Sequence, residues 1–282
     1  MDGGTGPLRH VPVMAEEVLN FSKKEGLFLD ATAGTGGHML TLLENTQAKV
    51  VGLDIDLSSL RIAARNLRGF EGRFMLVNGD MKTVKNLFKT KFDLILFDFG
   101  LSSFQLEDEK RGFSFRKEGP LDMRFGRKGI TAREFLENVS VEELAKILRK
   151  YGDLPNAKVI ARDIKKKLPK TTLELALVVR KRSPRRKGHK FVARVFQAIR
   201  MAINEEEENV KLGIEGGIEL LKKDGRLIFI TYHSGEEKRA LEVIKERNDV
   251  KLLTKKPVRP GKEEIKRNPR ARSAHLRVLE KL

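Results

Sequence analysis

Four apolar runs in the first hundred residues each end in side chains suited to holding a nucleoside. Asp30-Ala-Thr-Ala-Gly34-Thr-Gly36-Gly37 follows the first run, and Asp54 stands twenty residues after Gly34 at the end of the second. Asn78-Gly79-Asp80-Met81 closes the third, and Asp98 ends the fourth, Phe92-Asp-Leu-Ile-Leu-Phe-Asp98. Glycines at a strand-to-helix turn let a ligand approach the backbone, and the first turn of the helix supplies unpaired amides. A carboxylate at the second strand end can accept both hydroxyls of a ribose, and Met81 can pack on a base. Each feature has a plain structural alternative, since a Gly-x-Gly-Gly turn can be only a tight loop and a strand-end Asp only a helix cap. Their succession at four strand ends points to a nucleoside cofactor. A dinucleotide turn requires a third glycine where Met39 stands. With no pyrophosphate to cradle, S-adenosylmethionine fits better than a nicotinamide dinucleotide.

These residues need a scaffold that delivers strand ends to one rim. Short buried runs at 27–30, 49–54, 73–77 and 92–98 alternate with helical patterns near 38–45, 57–68 and 82–89, which is the rhythm of parallel βαβ units. It stops after Asp98. From about 106 to 205 the sequence shows helix signals and no buried strand, including the start signals Ser140-Val-Glu-Glu143 and Thr171-Thr-Leu-Glu174. A helix running to about Lys223 leads to a strand at 225–231, a helix at 236–247 and two late strands near 250–254 and 275–280. The expectation is an α/β, Rossmann-like sheet formed by 1–105 and 206–282, interrupted by a helical domain over 106–205.

A length of 282 residues allows two such bodies, and 40% hydrophobic residues suffice for packed cores. The formal net charge of +18 is unevenly spread. Residues 151–200 hold fifteen Lys and Arg against three acids, residues 251–282 hold eleven against three, and the remainder is close to neutral. Heat adaptation enriches both signs, so segregation of this kind favours a polyanion partner such as nucleic acid. The absence of cysteine excludes disulfides, thiolate nucleophiles and cysteine zinc sites. Without a long apolar run or a leader pattern, the expectation is a cytoplasmic protein.

The motifs also resemble a known family. His10-Val-Pro-Val-Met14, Asp30-Ala-Thr-Ala-Gly-Thr-Gly-Gly-His38 and Gly52-Leu-Asp-Ile-Asp56 are similar to segments of the RsmH (MraW) family. So are Asp98-Phe-Gly-Leu-Ser-Ser-Phe-Gln-Leu106, Arg111-Gly-Phe-Ser-Phe115 and Gly119-Pro-Leu-Asp-Met-Arg124. Arg194-Val-Phe-Gln-Ala-Ile-Arg200 with Asn204-Glu205, Tyr232-His-Ser234 and Asn268-Pro-Arg-Ala-Arg-Ser273 continue the match along nearly the whole chain. The resemblance implies a class I methyltransferase fold. It also implies transfer of a methyl group from S-adenosylmethionine to the N4 amine of a cytidine in the decoding region of 16S ribosomal RNA, leaving S-adenosylhomocysteine. The cofactor contacts it implies are Gly36, Gly37, His38, Asp54, Met81, Asp98 and Gln105, with Met81 standing where the family usually has Phe.

A cytosine amine is a weak nucleophile, so the protein must align it and accept one of its hydrogens. Asp98 is the first candidate, followed by the Ser102 and Ser103 hydroxyls, although Asp98 can equally serve the cofactor alone. The target base has to leave its stack to reach such a pocket. Phe113 and Phe115 are either stacking faces for it or, more simply, core residues. The basic run supplies Arg180, Lys181, Arg182, Arg185, Arg186, Lys187 and Lys190 as phosphate contacts, against the alternative of a solvated loop. Arg270 and Arg272 either join them or tie the C-terminal segment to the sheet. The five histidines, His189 and His233 among them, lack ligand spacing, so no metal is expected. The other readings are an amino-methyltransferase for DNA or another RNA, and a non-catalytic ribosome-assembly factor, whose pocket residues would be spoiled.

Overall fold

The computed structural model describes residues 12–101, 103–184 and 188–282, with only the backbone of Ser103. They divide into two compact units, one formed by residues up to Gly100 together with Glu207–Leu282, the other by Leu101–Glu206. Among the described residues no helix is long and apolar enough to cross a membrane.

In the first unit the elements run α1 Ala15–Phe21, β1 Leu27–Asp30, α2 Gly37–Asn45, β2 Lys49–Asp54, α3 Leu57–Asn66, β3 Phe74–Asn78, α4 Val84–Leu87 and β4 Phe92–Asp98. In the second unit, α5 Ser103–Glu107 and α6 Ala132–Asn138 precede α7 Val141–Gly152, α8 Ala157–Lys167, α9 Thr172–Arg180 and α10 Gly188–Ile203. The chain closes with α11 Glu206–Leu220, β5 Leu221–Thr231, α12 Ser234–Lys245, β6 Val250–Leu252, α13 Lys262–Arg267 and β7 His275–Lys281.

The seven strands form one sheet in the order β3-β2-β1-β4-β5-β7-β6. β1 to β5 pair in parallel, and β7 runs antiparallel to both of its neighbours. Strands covered on both faces carry apolar runs, and β4 does, with Leu94, Ile95, Leu96 and Phe97 fully buried. Successive residues feed opposite layers. Phe28, Leu94, Leu96, Ile228 and Val278 pack on one side, and Leu29, Ile95, Phe97, Leu227 and Leu279 on the other.

Two expectations are corrected. In place of a helix over 82–89 there is a three-residue 3-10 turn, Met81–Thr83, followed by the single turn of α4. Asp80 caps the tight turn by accepting from the Lys82 amide at 3.0 Å, and Phe88 is already extended. The second correction is at the start of β5, which lies at Leu221 rather than 225. Asp224 adopts a left-handed conformation (φ 59°), and the pairing with β4 shifts register between Phe92 and Leu94, so the strand absorbs a bulge.

The second unit is helical and has its own core of Leu121, Met123, Leu136, Leu144, Leu148, Ile160, Ile164, Val195 and neighbours. Ser140 and Thr171 start their helices as expected, accepting from the amides of Glu143 and Glu174. A full capping box at Thr131 and Glu134 opens α6, a signal the sequence reading passed over. Phe113 and Phe115 lie in this core, with Phe115 against Phe196 at 5.1 Å between centroids. They are packing residues.

Candidate functional site

β1 and β4 are adjacent, but their chain continuations lead in opposite directions across the sheet, which makes their carboxyl ends the topological switch point. Asp30 ends β1. It is fully buried, its Oδ1 accepts from the Thr32 amide at 3.2 Å, and its Oδ2 has no partner. Burial pushes this carboxyl up to about 6, with the Asp98 and Asp54 charges adding to the rise and His38 and the Thr32 amide opposing it. His38, in the first turn of α2, is also buried, and neither ring nitrogen has a hydrogen-bond partner. Its Nε2 stands 3.5 Å from Asp98 Oδ2.

Asp98 ends β4 and is locked at the backbone, its amide donating to Thr32 Oγ1 at 2.6 Å. Its Oδ1 accepts from the Gly100 amide at 3.1 Å. The Tyr232 ring, just beyond β5, lies beside the same carboxylate across Gly100. Asp54 ends β2, where Oδ2 accepts from the Gly34 amide and Oδ1 from the Asp56 amide, both at 2.7 Å. Asp54 thus ties the glycine turn to the neighbouring strand.

Gly34 (φ 51°) and Gly36 (φ 85°) carry the turn through left-handed backbone. A Cβ on Gly36 would also sit 3.1 Å from that of Ala63, so a side chain there meets both backbone strain and a tight contact. Gly36 caps α2 without a side-chain hydrogen bond, which leaves the amides of Gly37 and His38 without a side-chain cap. The Asn66 amide closes the back of the turn on the Thr35 carbonyl at 2.9 Å.

Of the residues expected to hold a cofactor, Gly36, Gly37, His38, Asp54 and Asp98 therefore gather at one rim. Met81 is half-buried beside the layer of Val84 and Phe97. Gln105 is buried in α5, within the helical unit. Ser102 and the Ser103 side chain lie outside the described residues, as do Arg185, Arg186 and Lys187. Arg180, Lys181 and Lys190 are exposed. Arg182 is exposed as well, but its guanidinium straddles Asp163 at 2.5 and 3.2 Å, so its charge is already met within the fold. Arg270 and Arg272 are exposed on a 3-10 turn, and the residues that fasten that turn to the sheet are Ala271 and Ala274. His233 caps α12, accepting from the Gly235 amide. Asp30, Thr32 and Tyr232 were missed as site residues. Each lies in a motif the sequence shows, Asp30 and Thr32 in the glycine turn and Tyr232 at the head of Tyr232-His-Ser234, but nothing there marks them as site residues.

A doubly wound sheet with one reversed strand, opening a glycine turn and strand-end carboxylates onto its switch point, is the Rossmann-like fold of the class I methyltransferases. The family model of the MraW methylases matches residues 7–282. The chain belongs to that family. Among its relatives, the ribosomal RNA small subunit methyltransferase H of Thermotoga neapolitana is 41% identical over 287 residues, covering 96% of this chain and 95% of the relative. The protein of the same name from Persephonella marina is 41% identical over 294 residues, covering 98% of this chain and all of the relative. A solved rRNA methylase from Streptococcus thermophilus aligns with 95% of this chain and 93% of its own at 12% identity and a TM-score of 0.45, too distant to add to the assignment.

Proposed function

We propose that this methyltransferase transfers a methyl group from S-adenosylmethionine to the N4 amine of a cytidine in 16S ribosomal RNA, acting in the cytoplasm on the small ribosomal subunit or its RNA. The observation that carries the cofactor assignment is the buried, anionic switch point. Asp30 and Asp98 stand there beside a histidine with two unmatched nitrogens. Burial, with the Asp98 and Asp54 charges adding to it, lifts the Asp30 carboxyl; a cationic ligand favours its charged form, and the ligand's polar groups satisfy atoms the fold leaves bare. Asp54 stands at the strand end where a ribose would be met, and the helix start at Gly36–Gly37 carries no side-chain cap. The residues present fit the group.

When bound, S-adenosylmethionine supplies an electrophilic methyl group on a sulfonium sulfur. The chain supplies alignment and a proton acceptor. Asp98, with its amide pinned to Thr32 and one oxygen on the Gly100 amide, accepts a hydrogen from the exocyclic amine and localises the nitrogen lone pair. The amine loses that proton as its bond to the methyl carbon forms. Gln105 belongs with the cofactor contacts, and the exposed Arg180, Lys181, Lys190, Arg270 and Arg272 grip RNA phosphates. The intact pocket residues favour turnover over a purely architectural role. Methyl transfer from labelled S-adenosylmethionine to 30S subunits, naked 16S RNA and DNA, followed by digestion to nucleosides, tests this. N4-methylcytidine from 16S RNA is the expected product, and label only in DNA, or none, overturns the reading.

A further inference from the structure

We propose that Tyr232 is a positioning residue for Asp98: its phenol O–H donates to the carboxylate and fixes the orientation in which Asp98 meets the substrate amine. This rests on the role given to Asp98 above. The two residues are 134 positions apart and meet because β4 and β5 pair in parallel, with Asp98 opposite Ile230. Just past the strand ends the tyrosine ring crosses Gly100. A Cβ on Gly100 would lie 2.6 Å from Tyr232 Cε2, 2.9 Å from Cζ and 3.1 Å from Asp98 Oδ1. The hydroxyl-bearing end of the ring and the carboxylate oxygen thus share one small space, which exists because residue 100 has no side chain.

The tyrosine is held from behind. Glu236, buried in the first turn of α12, accepts from the amides of Tyr232 at 2.8 Å and His233 at 3.1 Å. Burial, then the Asp98 charge and the hydrogen bond to it, push the phenol titration well above that of an ordinary tyrosine. At neutral pH the group therefore keeps its proton and has a hydrogen to donate. A carboxylate held on one side by the Gly100 amide and by a phenol has a fixed plane, so the acceptor direction left for the amine is set before substrate arrives.

The chain has two tyrosines, so Tyr151→Phe leaves Tyr232 as the sole phenol, and its ionisation can be followed by ultraviolet absorbance. In that background Asp98→Asn should move the phenol titration to lower pH. Tyr232→Phe keeps the ring and should bind S-adenosylhomocysteine within about twofold of wild type. It should lower kcat about ten- to a hundredfold, the value of a hydrogen bond to a charged group, with little change in KM for RNA. The acid limb of its kcat profile should shift to higher pH, because losing a donor favours the protonated carboxyl. A phenol titration indifferent to Asp98→Asn, an unchanged kcat, or a fall in kcat with an unmoved acid limb would each overturn the proposal. If Tyr232→Phe is silent while Asp98→Ala is dead, the tyrosine's role falls alone. If Asp98→Ala retains full turnover, the Asp98 assignment falls and takes this one with it.

Discussion

The two units solve opposite problems with their buried polar atoms. In the helical unit, among the described residues, no buried side-chain nitrogen or oxygen lacks a partner, and its core is filled by Leu, Ile, Val, Ala, Met and Phe. In the sheet unit, Asp30 Oδ2 and both His38 nitrogens are buried and bare, and they cluster where the strand order reverses. A bare buried polar atom costs roughly 1–3 kcal/mol, so a fold tolerates several together mainly where something else completes them. The charge runs the other way. The helical unit carries a positive excess, and Arg180, Lys181 and Lys190 of it stand exposed. One unit withholds partners from a small ligand, and the other offers charge to a large one.

The sharpest way to break this contrast is Asp98→Ala, which should lower turnover by about a thousandfold or more with S-adenosylhomocysteine affinity reduced far less, as read by single-turnover methylation and calorimetry. Leu148→Ala, in the apolar core of the helical unit, should cost about 3 kcal/mol in chemical denaturation while cofactor affinity holds. Asp30→Asn tests whether the bare carboxylate is a liability of the empty fold. Its carboxyl titrates near 6 when folded and near 3.8 when unfolded, so the unfolded chain releases its proton first as pH rises. Wild type should therefore lose on the order of 3 kcal/mol between about pH 4 and pH 6. The asparagine variant should melt several degrees higher than wild type at pH 8, with the gap closing by pH 4 and cofactor binding weakened. Reversing Arg180, Lys181 and Lys190 to Glu should weaken RNA binding at least tenfold and reduce the slope of log K against log salt by about 3, with cofactor affinity unchanged. Smallest of all is Arg182→Ala, whose effect on RNA affinity should fall below that of Arg180→Ala, because Asp163 already occupies its guanidinium.

Much of the sheet was legible because buried parallel strands carry unbroken apolar runs, as Leu94–Phe97 does within Phe92–Asp98. The glycine turn and Asp54 were legible because strand-to-helix spacing fixes where they fall. The short segment after Asp80 was not, since its leucine and valine suggest a longer helix and a single Asx-type cap decided for a tight turn. In the site, the weight of Asp30 comes from a missing partner, which leaves no trace in a sequence. Tyr232 was invisible as a neighbour of Asp98 until β4 and β5 were paired. The alanines that fasten 268–274 to the sheet, with arginines left outside, likewise follow from the turn's rotation rather than from its composition.

The pairing of Asp98 with Ile230 has a kinetic side. The chain leaves the sheet after β4 and returns only at β5, so the most extensive parallel pairing in the molecule closes one of its longest loops. Loop closure is cheaper when the intervening segment has already collapsed into a body with nearby ends, and the helical segment has the local contacts to do so first. Refolding should then show early helix formation and a slower phase in which methyl-donor binding emerges. A lesion in the inserted helices would delay the appearance of the pocket without touching any atom of it.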